Sequence, residues 1–438
     1  MKKYKIVTLG CKVNSYESEA LALMLEERGY LPSPKDGIAD VCLINTCSVT
    51  SRSDAKSRQR IRHLIRENPG TIMIVMGCYS QLNYQDIARI EGVSIIIGTN
   101  HRSSIPKLIK EYEETNTQII KVDDSKEFSE YENLSVIKYS DNTRAYVKIQ
   151  DGCDNYCSYC IIPYTRGRVK SRNKDSVLNE INSLVKNGYK EIVLTGIHTG
   201  GYGLDFDDYS FGDLLKDIVN EVKDLKRLRI SSIEVHEITD EIIELMATTR
   251  VIVDHLHIPL QSGSNNVLRR MNRKYDKDYI IARLKKIRDN FKDIAITTDV
   301  IVGFPGESDE EFEETVDTIN KIGFDAIHVF PFSSRKGTPA SKMSGQVTSK
   351  IKKERVNKLL EISKQANYEY ANRFIGSERE VLFETVDSKG KLKGHTTNYL
   401  IVKVDGDKSL IGQIKNVLIK GFDKDSKDNE LLGEIIHE

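Results

Sequence analysis

The sequence predicts an α/β fold in three parts: an open parallel sheet, then a partial (βα)6 barrel, then a small antiparallel β-barrel. Three observations lead to this prediction. Apolar runs alternate with amphipathic helical runs along most of the chain, which is the pattern of parallel α/β sheets. A polar, mostly acidic stretch interrupts the alternation once, and the last part changes to short alternating strands. The 438 residues also exceed what one hydrophobic core usually supports.

The first part is predicted to cover residues 1–113. Helical runs such as ESEALALMLEERGY separate apolar runs that we interpret as the strands of one parallel sheet. These strands are YKIVTLGC, DVCLINTC, TIMIVMGC and VSIIIGT. Residues 114–140 are polar and have little helical periodicity, so we interpret them as an interdomain linker that includes one short strand.

The middle part, residues 141–374, repeats a strand followed by a helical stretch six times. The predicted strands are AYVKIQ, EIVLTGI, LRISSIEV, HLHIPL, IAITTDVIVGF and DAIHVFPF. Six successive βα units favour a partial barrel whose site lies at the C-terminal ends of its strands. A long helical run, VTSKIKKERVNKLLEISKQANYEYANRF, closes this part.

The third part, residues 375–438, is predicted to contain short strands separated by Gly, Asp and Lys turns. The strands are REVLFETV, NYLIVKV, LIGQIKNVLIKG and LLGEIIH. This pattern is typical of a small antiparallel barrel of the kind that often handles nucleic acid.

Composition limits the classes of function. Lys and Arg together number 65, as do Asp and Glu, which argues against a histone-like binder and requires any RNA affinity to come from local basic patches. No apolar stretch approaches the roughly 20 residues of a membrane span, and the start MKKYKIVTLG lacks a secretory h-region. We therefore expect a cytoplasmic protein with no membrane partner. Its seven cysteines are then expected to be ligands, nucleophiles or core residues rather than disulfides.

Three cysteines follow the first barrel strand in the segment DGCDNYCSYC. Cys153, Cys157 and Cys160 form a Cys-x-x-x-Cys-x-x-Cys motif. Three thiolates can hold three irons of a 4Fe-4S cluster and leave the fourth iron open, whereas a structural zinc site usually has four closed ligands. The spacing matches the radical S-adenosylmethionine (SAM) superfamily, in which the open iron binds SAM. A structural zinc site is the alternative interpretation.

Three further cysteines share a setting at strand ends. Cys11, Cys47 and Cys78 end the runs TLGC, INTC and VMGC. Ligands of open α/β sheets bind at the carboxyl ends of the strands, so these thiols are candidates for a second cluster. The alternative is that each is a small core hydrophobe, which is common for free Cys. Cys42, inside a strand, is predicted to be a core residue.

The ordered motifs of the whole chain resemble the radical SAM methylthiotransferase family. These motifs are TLGCKVNSYESE, NTCSVT, GCYSQ, DGCDNYCSYCIIPYTRGR and GFPGE. The resemblance implies an auxiliary 4Fe-4S cluster on Cys11, Cys47 and Cys78. It also implies a SAM-binding 4Fe-4S cluster on the barrel cysteines, a C-terminal TRAM domain that binds RNA, a transfer RNA substrate, and an electron donor such as a flavodoxin or ferredoxin.

The resemblance also implies a reaction. One SAM methylates sulfur at the auxiliary cluster, a second is cleaved to a 5′-deoxyadenosyl radical, and the methylthio group joins carbon 2 of an adenine. The segments GIHTGGYG, HLHIPLQSGS and FPFSSRKGTP resemble the branch that acts on threonylcarbamoyladenosine at position 37 of tRNA, beside the anticodon. Alternatives are the branch that acts on isopentenyladenosine and, in another class, a non-catalytic RNA-binding protein with structural metal sites.

Polar residues near barrel strand ends are candidates for contact with SAM. An unsatisfied polar group inside an apolar strand costs of order 1–3 kcal/mol, which favours ligand contact. Capping or strand-end hydrogen bonding is the alternative for each. The candidates are Gly196, Ser232, Glu234, Gln261 and Asp299.

Two basic runs are candidates for contact with RNA. The first lies between two strand-end cysteines, from Ser51 to Arg66, and contains Arg52, Lys56, Arg58, Arg60, Arg62 and Arg66. The second follows the barrel cysteines, near Tyr164, and contains Arg166, Arg168, Lys170, Arg172 and Lys174. A solvated helix face is the alternative for both runs. The run from Lys350 to Lys364 is instead interpreted as an amphipathic helix with internal ion pairs.

Overall fold

The structure, a computed structural model, describes nearly the whole chain. It covers residues 1–34, 36–48, 51–139, 143–426 and 428–436, with the backbone alone at 51 and 52.

The first part is an α/β unit with ten helices and strands. They are β1 (Lys3–Thr8), α1 (Lys12–Glu26), β2 (Leu31–Pro32), β3 (Val41–Thr46), α2 (Ser51–Glu67), β4 (Ile72–Gly77), α3 (Cys78–Ala88), β5 (Val93–Ile97), α4 (Ile105–Thr115) and β6 (Ile119–Lys121). The strands form one sheet in the order β2-β1-β3-β4-β5-β6, and all its pairings are parallel. Every residue of β3 is buried, because apolar residues pack on both faces of the sheet. The predicted parallel sheet is confirmed.

The segment after α4 packs against both neighbouring parts. Its strand β6 extends the sheet edge beside β5, as the prediction of one short strand required. Downstream, Leu134, Val136 and Tyr139 are buried in the core of the barrel. This segment therefore fixes the first part against the barrel rather than acting as a loose spacer.

From residue 143 to residue 374 the structure describes seven strands and eight α-helices of the barrel. They are β7 (Arg144–Asp151), α5 (Ile162–Arg166), β8 (Lys170–Ser171), α6 (Lys174–Lys186), β9 (Glu191–Gly196), α7 (Phe211–Glu221), β10 (Arg227–Ile230), α8 (Asp240–Thr248), β11 (His255–His257), α9 (Asn265–Arg270), α10 (Lys277–Asn290), β12 (Ala295–Val302), α11 (Asp309–Ile322), β13 (Ala326–Pro331) and α12 (Ser349–Asn372). Six parallel strands follow one another as β7-β9-β10-β11-β12-β13, with β10 and β11 joined by the single bridges Leu228–Ile252 and Ser232–His257. The short strand β8 pairs antiparallel with β7. The prediction of six βα units is confirmed.

Local sequence explains where the barrel helices begin and end. Helix α11 starts with a capping box, in which the Ser308 hydroxyl accepts from the Glu311 amide at 3.2 Å and the Glu311 carboxylate accepts from the Ser308 amide at 3.1 Å. The helix ends at Gly323, whose φ of 67° suits a residue without a side chain. Helix α7 uses the same box through Ser210 and Asp213.

The third part is a closed barrel of five strands. They are β14 (Glu378–Val386), β15 (Leu392–Thr396), β16 (Ile401–Val404), β17 (Ile414–Phe422) and β18 (Leu431–Ile435), in the order β14-β15-β16-β18-β17. The sequence pattern missed β15, because two of its three buried positions are Gly394 and Thr396 rather than large apolar residues. The pairings are antiparallel as predicted, except that β16 and β18 run parallel.

Hydrogen bonds between residues far apart in sequence attach this small barrel to the large one. Arg227 donates to the carbonyls of His395 and Glu380 at 3.1 and 2.9 Å. Arg229 donates to the carbonyl of Thr397 at 3.1 Å.

In the part of the chain that the structure describes, no helix is both long and apolar enough to span a membrane.

Candidate functional site

The barrel cysteines lie on one loop between β7 and α5. The Cys153 amide donates to the Gly167 carbonyl at 3.0 Å, and the Cys160 amide donates to the Cys157 carbonyl at 2.9 Å. Cys160 interacts electrostatically with both other thiols, which places the three side chains together. The loop begins at Gly152, with φ of 73°, where a Cβ atom would lie 1.8 Å from the Arg168 carbonyl oxygen.

A buried arginine lies beside this loop. The Arg273 guanidinium donates to Cys157 Sγ at 3.2 Å and also forms an ion pair with Glu234. The guanidinium Cζ of Arg273 is 4.9 Å from the centre of the Tyr275 ring. His198 hydrogen-bonds Cys153 and pairs with Glu237. Cys153 and Cys157 therefore each have a neighbouring donor that favours a charged sulfur.

The other three cysteines converge at the carboxyl edge of the first sheet. Thr46 pairs with Gly77 across β3 and β4, so Cys47 and Cys78 follow neighbouring strand ends. A Cβ atom at Gly10 would lie 3.3 Å from Cys47 Sγ, which puts Cys47 beside the segment that carries Cys11. Cys11 and Cys78 interact electrostatically.

Cys42 lies elsewhere in the sheet and is fully buried, as predicted.

A network of buried charges joins the two cysteine sites. Arg166 ends α5 in the barrel and donates to Glu17 of α1 at 2.9 Å, to Asp151 at 3.0 Å and to Cys78 Sγ at 3.4 Å. Arg102 and Lys148 are two further cations of this network, and each has a nitrogen atom within 3.0 Å of Glu17 Oε1. Burial alone would raise the pKa of Glu17, but Arg102, Arg166 and Lys148 lower it to about 2. The carboxylate is therefore ionised and fully paired inside the interface.

A cavity of about 570 Å³ opens between the three parts. This volume is in the range that encloses a small-molecule ligand. Its wall includes Cys11 and Lys12 from the first part, strand-end residues of β9 to β13 and Tyr399 from the small barrel. Within it, His257 Nε2 is 3.2 Å from Asp299 Oδ1, and His257 Nδ1 is 2.9 Å from the Thr297 hydroxyl. The ring centroids of His257 and His328 are 5.6 Å apart.

Three of the five candidates for SAM contact line this cavity: Gly196, Ser232 and Asp299. Glu234 lies beside the barrel cysteines, where it caps the turn Val235–Glu237 and pairs with Arg273. Gln261 has a φ of 62°, and its amide donates to the Asp299 carbonyl at 2.8 Å. Among the described residues, neither Glu234 nor Gln261 is part of the cavity wall.

The second predicted RNA-binding run is wrong for three of its five residues. Arg166, Lys170 and Arg172 are buried. Arg172 pairs with Glu180 at 2.8 Å, and Lys170 donates to the Arg166 carbonyl at 2.7 Å. Their positive charges therefore face acids and carbonyl oxygens inside the protein, whereas the prediction placed them in solvent, available to RNA.

Other residues of the two basic runs are accessible. Arg168 and Tyr164 of the second run are exposed. In the first run, Lys56, Arg62 and Arg66 are exposed along α2, and Arg60 is partly exposed. Arg58 is the exception, since it donates to the Tyr79 hydroxyl at 2.9 Å. The side chain of Arg52 lies outside the described residues.

Sequence reasoning missed four residues of the site: Lys12, Arg229, Arg273 and Tyr399. Arg273 is distant in sequence from Cys157, and Tyr399 reaches the cavity from the small barrel with a φ of 67°. The Tyr399 ring stacks on His255 with centroids 4.6 Å apart, and the Arg229 guanidinium lies 4.8 Å from its centre. Of these four residues, only Lys12 could have been proposed from the sequence, because it directly follows Cys11 in the motif TLGCK.

Comparison with known families divides the chain in the same order as its sheets. Residues 3–98 match a family described as "Uncharacterized protein family UPF0004". Residues 147–319 match the radical SAM superfamily, and residues 372–436 match the TRAM domain.

Curated relatives match over nearly the full length. The threonylcarbamoyladenosine tRNA methylthiotransferase MtaB of Bacillus subtilis is 46% identical, covering 94% of this chain and 92% of the relative. The protein of the same name from Thermotoga maritima is 38% identical and covers 97% and 96%. A tRNA-2-methylthio-N(6)-dimethylallyladenosine synthase of Carboxydothermus hydrogenoformans is 37% identical and covers 95% and 96%.

Among solved structures, the fold resembles a radical SAM methyltransferase, TsrM, from Kitasatospora setae. That structure contains cobalamin and a 4Fe-4S cluster. The TM-score is 0.58 at 14% identity, over 78% of this chain and 77% of the other.

Proposed function

Because this chain belongs to the radical SAM methylthiotransferase family, we propose that it adds a methylthio group to carbon 2 of threonylcarbamoyladenosine at position 37 of tRNA. The observation that carries the proposal is the cavity whose wall contains both Cys11 and the barrel strand ends. Gly196 in that wall is two residues before His198, which touches Cys153. An adenine in the cavity would therefore lie between the two cysteine sites.

The donor sets fit two 4Fe-4S clusters. Each site offers three thiols, which leaves one iron of a cluster without a protein ligand. Cys157 and Cys78 each accept a hydrogen bond from a buried arginine, at 3.2 and 3.4 Å, and such donors stabilise charged sulfur. When bound, the barrel cluster with SAM supplies a carbon radical, and the auxiliary cluster supplies a site for the sulfur to be transferred.

The chain's own residues orient and enclose the reactants. Arg273, held by Glu234 and Tyr275, fixes the loop of Cys157. Arg166 fixes the distance between the two cysteine sites, since it contacts Cys78 while it pairs with Asp151 at the end of β7. Tyr399 and His255 form an aromatic wall that excludes water from one side of the cavity. Gly196, Ser232 and Asp299 are placed to contact SAM or the base at the strand ends.

We propose a separate role for each domain, with the limits that the sequence predicts. Residues 1–113 provide the auxiliary site, residues 141–374 the radical SAM core and residues 375–438 the TRAM domain, with 114–140 as the connection. The proposed protein is cytoplasmic and receives electrons from a flavodoxin or ferredoxin.

Substrate choice is the first test. We expect the reconstituted enzyme to methylthiolate tRNA that carries threonylcarbamoyladenosine and to leave isopentenyladenosine and unmodified tRNA unchanged. The measurement is mass spectrometry of nucleosides after incubation with SAM and a reductant, with equal amounts of the three tRNAs. Preference for isopentenyladenosine would assign the chain to the other branch. Absence of both 5′-deoxyadenosine and product would instead favour an RNA-binding protein with structural metal sites.

RNA binding by α2 is a second test. Arg60, Arg62 and Arg66 make no hydrogen bond or ion pair among the described residues, so their charges remain available for phosphates. Replacing all three with Gln should weaken tRNA binding and reduce the log–log salt slope by about 0.7–0.9 for each lost phosphate contact. The matched control replaces Lys350, Lys353 and Lys364 of α12, which are also exposed. Equal slopes for both triple variants would show that α2 is a solvated face.

A further inference from the structure

The wall of the cavity contains a lysine that forms no ion pair in the part of the chain that the structure describes. Lys12 is the first residue of α1, directly after Cys11, and its accessible side chain lines the cavity. Within the described residues it makes no hydrogen bond or ion pair. The charges that act on it are those of Arg144 and Arg229, which repel it, and of Glu191, which attracts it but is itself paired with Arg229 at 2.7 Å.

The other cations around the cavity are already paired. Arg229 contacts the two Glu191 oxygens at 2.7 and 3.4 Å, and its remaining donors bind carbonyls of the small barrel. Arg144 pairs with Glu384 at 3.3 Å. The anion Asp299 has His257 as its partner. Of the Lys and Arg side chains that the structure describes in the cavity wall, Lys12 is therefore the one left without an ion-pair partner.

An unpaired ammonium group selects its ligand by charge. A carboxylate placed against it gains a charge-assisted hydrogen bond, which is roughly twice as strong as a neutral one. A hydrocarbon placed against it removes water without replacing the lost hydrogen bonds, and this is costly for a charged group. The two N6 substituents that methylthiotransferases accept differ in this property, because threonylcarbamoyl carries one carboxylate and isopentenyl is a hydrocarbon.

We propose that Lys12 binds the carboxylate of the N6 substituent and thereby selects threonylcarbamoyladenosine over isopentenyladenosine. This inference rests on the proposed function and names the residue that determines its substrate. In this proposal the adenine ring occupies the space between Cys11 and the barrel strand ends, and its N6 substituent is directed to Lys12 and Tyr399, all of which line the cavity. Lys12 is a specificity residue and takes no part in the chemical step.

The test compares carboxylate and carboxamide. Four anticodon stem-loops of one sequence carry at position 37 threonylcarbamoyladenosine, its neutral threoninamide analogue, isopentenyladenosine or adenosine. Their Kd values for the reconstituted enzyme are measured by fluorescence anisotropy at one salt concentration. Wild type should bind the carboxylate roughly tenfold to a hundredfold more tightly than the carboxamide.

Variants of Lys12 locate the source of that preference. Lys12→Gln should bind carboxylate and carboxamide equally and bind unmodified RNA like wild type, and Lys12→Arg should keep most of the preference. Lys110→Gln, an exposed lysine of α4, is the surface control and should match wild type. Iron content and the KM for SAM are measured for each variant, because Lys12 follows a cluster cysteine.

Several results would overturn the assignment. If Lys12→Gln weakens all four RNAs by one factor, Lys12 contacts a phosphate; if it raises the KM for SAM instead, Lys12 binds SAM. If wild type binds the carboxylate and the carboxamide equally well, no cation of the protein recognises the carboxylate. This result uses wild type alone and so does not depend on how any variant folds. Wild-type turnover separates the two proposals. Conversion of the threonylcarbamoyl RNA with unchanged selectivity in Lys12→Gln rejects only the role of Lys12, whereas preference for isopentenyl RNA rejects the proposed substrate.

Discussion

Alanine at Cys153, Cys157 and Cys160 should abolish SAM cleavage and product formation together, while the protein still binds about one 4Fe-4S cluster. The three thiols are on one loop, and none of them contacts the sheet edge of the first part in the described structure. Loss of this loop's ligands therefore leaves the second set intact. The measurements are iron content, 5′-deoxyadenosine and methylthio-nucleoside after anaerobic reconstitution.

A variant that lacks the three strand-end cysteines of the first part should lose methylthio transfer but keep SAM cleavage. Alanine at Cys11, Cys47 and Cys78 leaves the barrel loop unchanged, so 5′-deoxyadenosine should still form while the methylthio product disappears. Circular dichroism is the control, since bound metal contributes to folding and Cys78 also contacts Arg166. Methylthio-tRNA made by a folded form of this variant would contradict the assignment of these cysteines to sulfur transfer.

Arg166→Met should lower the free energy of unfolding by about 3–5 kcal/mol, the typical cost of removing one partner from a buried ion pair. The side chain is 1% exposed and pairs with both Glu17 and Asp151. Without it, Arg102 and Lys148 remain to balance those two acids and Glu132 as well. Anaerobic chemical denaturation with matched iron content measures the effect.

Arg168→Met is the control for this prediction, because Arg168 is two residues away and exposed. Its unfolding free energy should stay within about 0.5 kcal/mol of wild type. Arg166→Lys should fall between the two, since an ammonium retains the charge but cannot bridge both carboxylates and Cys78 as the planar guanidinium does. Equal stability of the Arg166→Met and Arg168→Met proteins would mean that the network does not stabilise the interface.

The sequence predicted features that depend on local pattern. The barrel loop was found from the spacing of three cysteines, and the position of Cys11, Cys47 and Cys78 followed from the ends of three apolar runs. Strand pattern also predicted the six barrel units. In each case the signal lay in residues close together in sequence, either as the spacing of cysteines or as the periodicity of apolar residues.

Features that depend on distant partners were missed. A run of positive charge does not show whether its partners are phosphates or internal acids, so the burial of Arg166 beside Glu17, 149 positions away in sequence, was not predictable. Strand β15 lacks apolar alternation, and its place depends on pairing with β14 and β16. Tyr399 enters the cavity through a left-handed turn in another domain, for which no pattern near the cavity residues gives a signal.

Tyr399 follows all six cluster cysteines in the sequence, so its part of the cavity wall is synthesised after both cysteine sites. Domains generally fold from the N-terminal end as the chain leaves the ribosome. Both cysteine sites are then complete before the small barrel exists, but the cavity still lacks its Tyr399 wall and the carbonyl contacts to Arg227 and Arg229. A chain in which the small barrel has not folded would therefore leave this side of the cavity open to water. Closure of the cavity depends on a domain that contributes none of the six cluster cysteines.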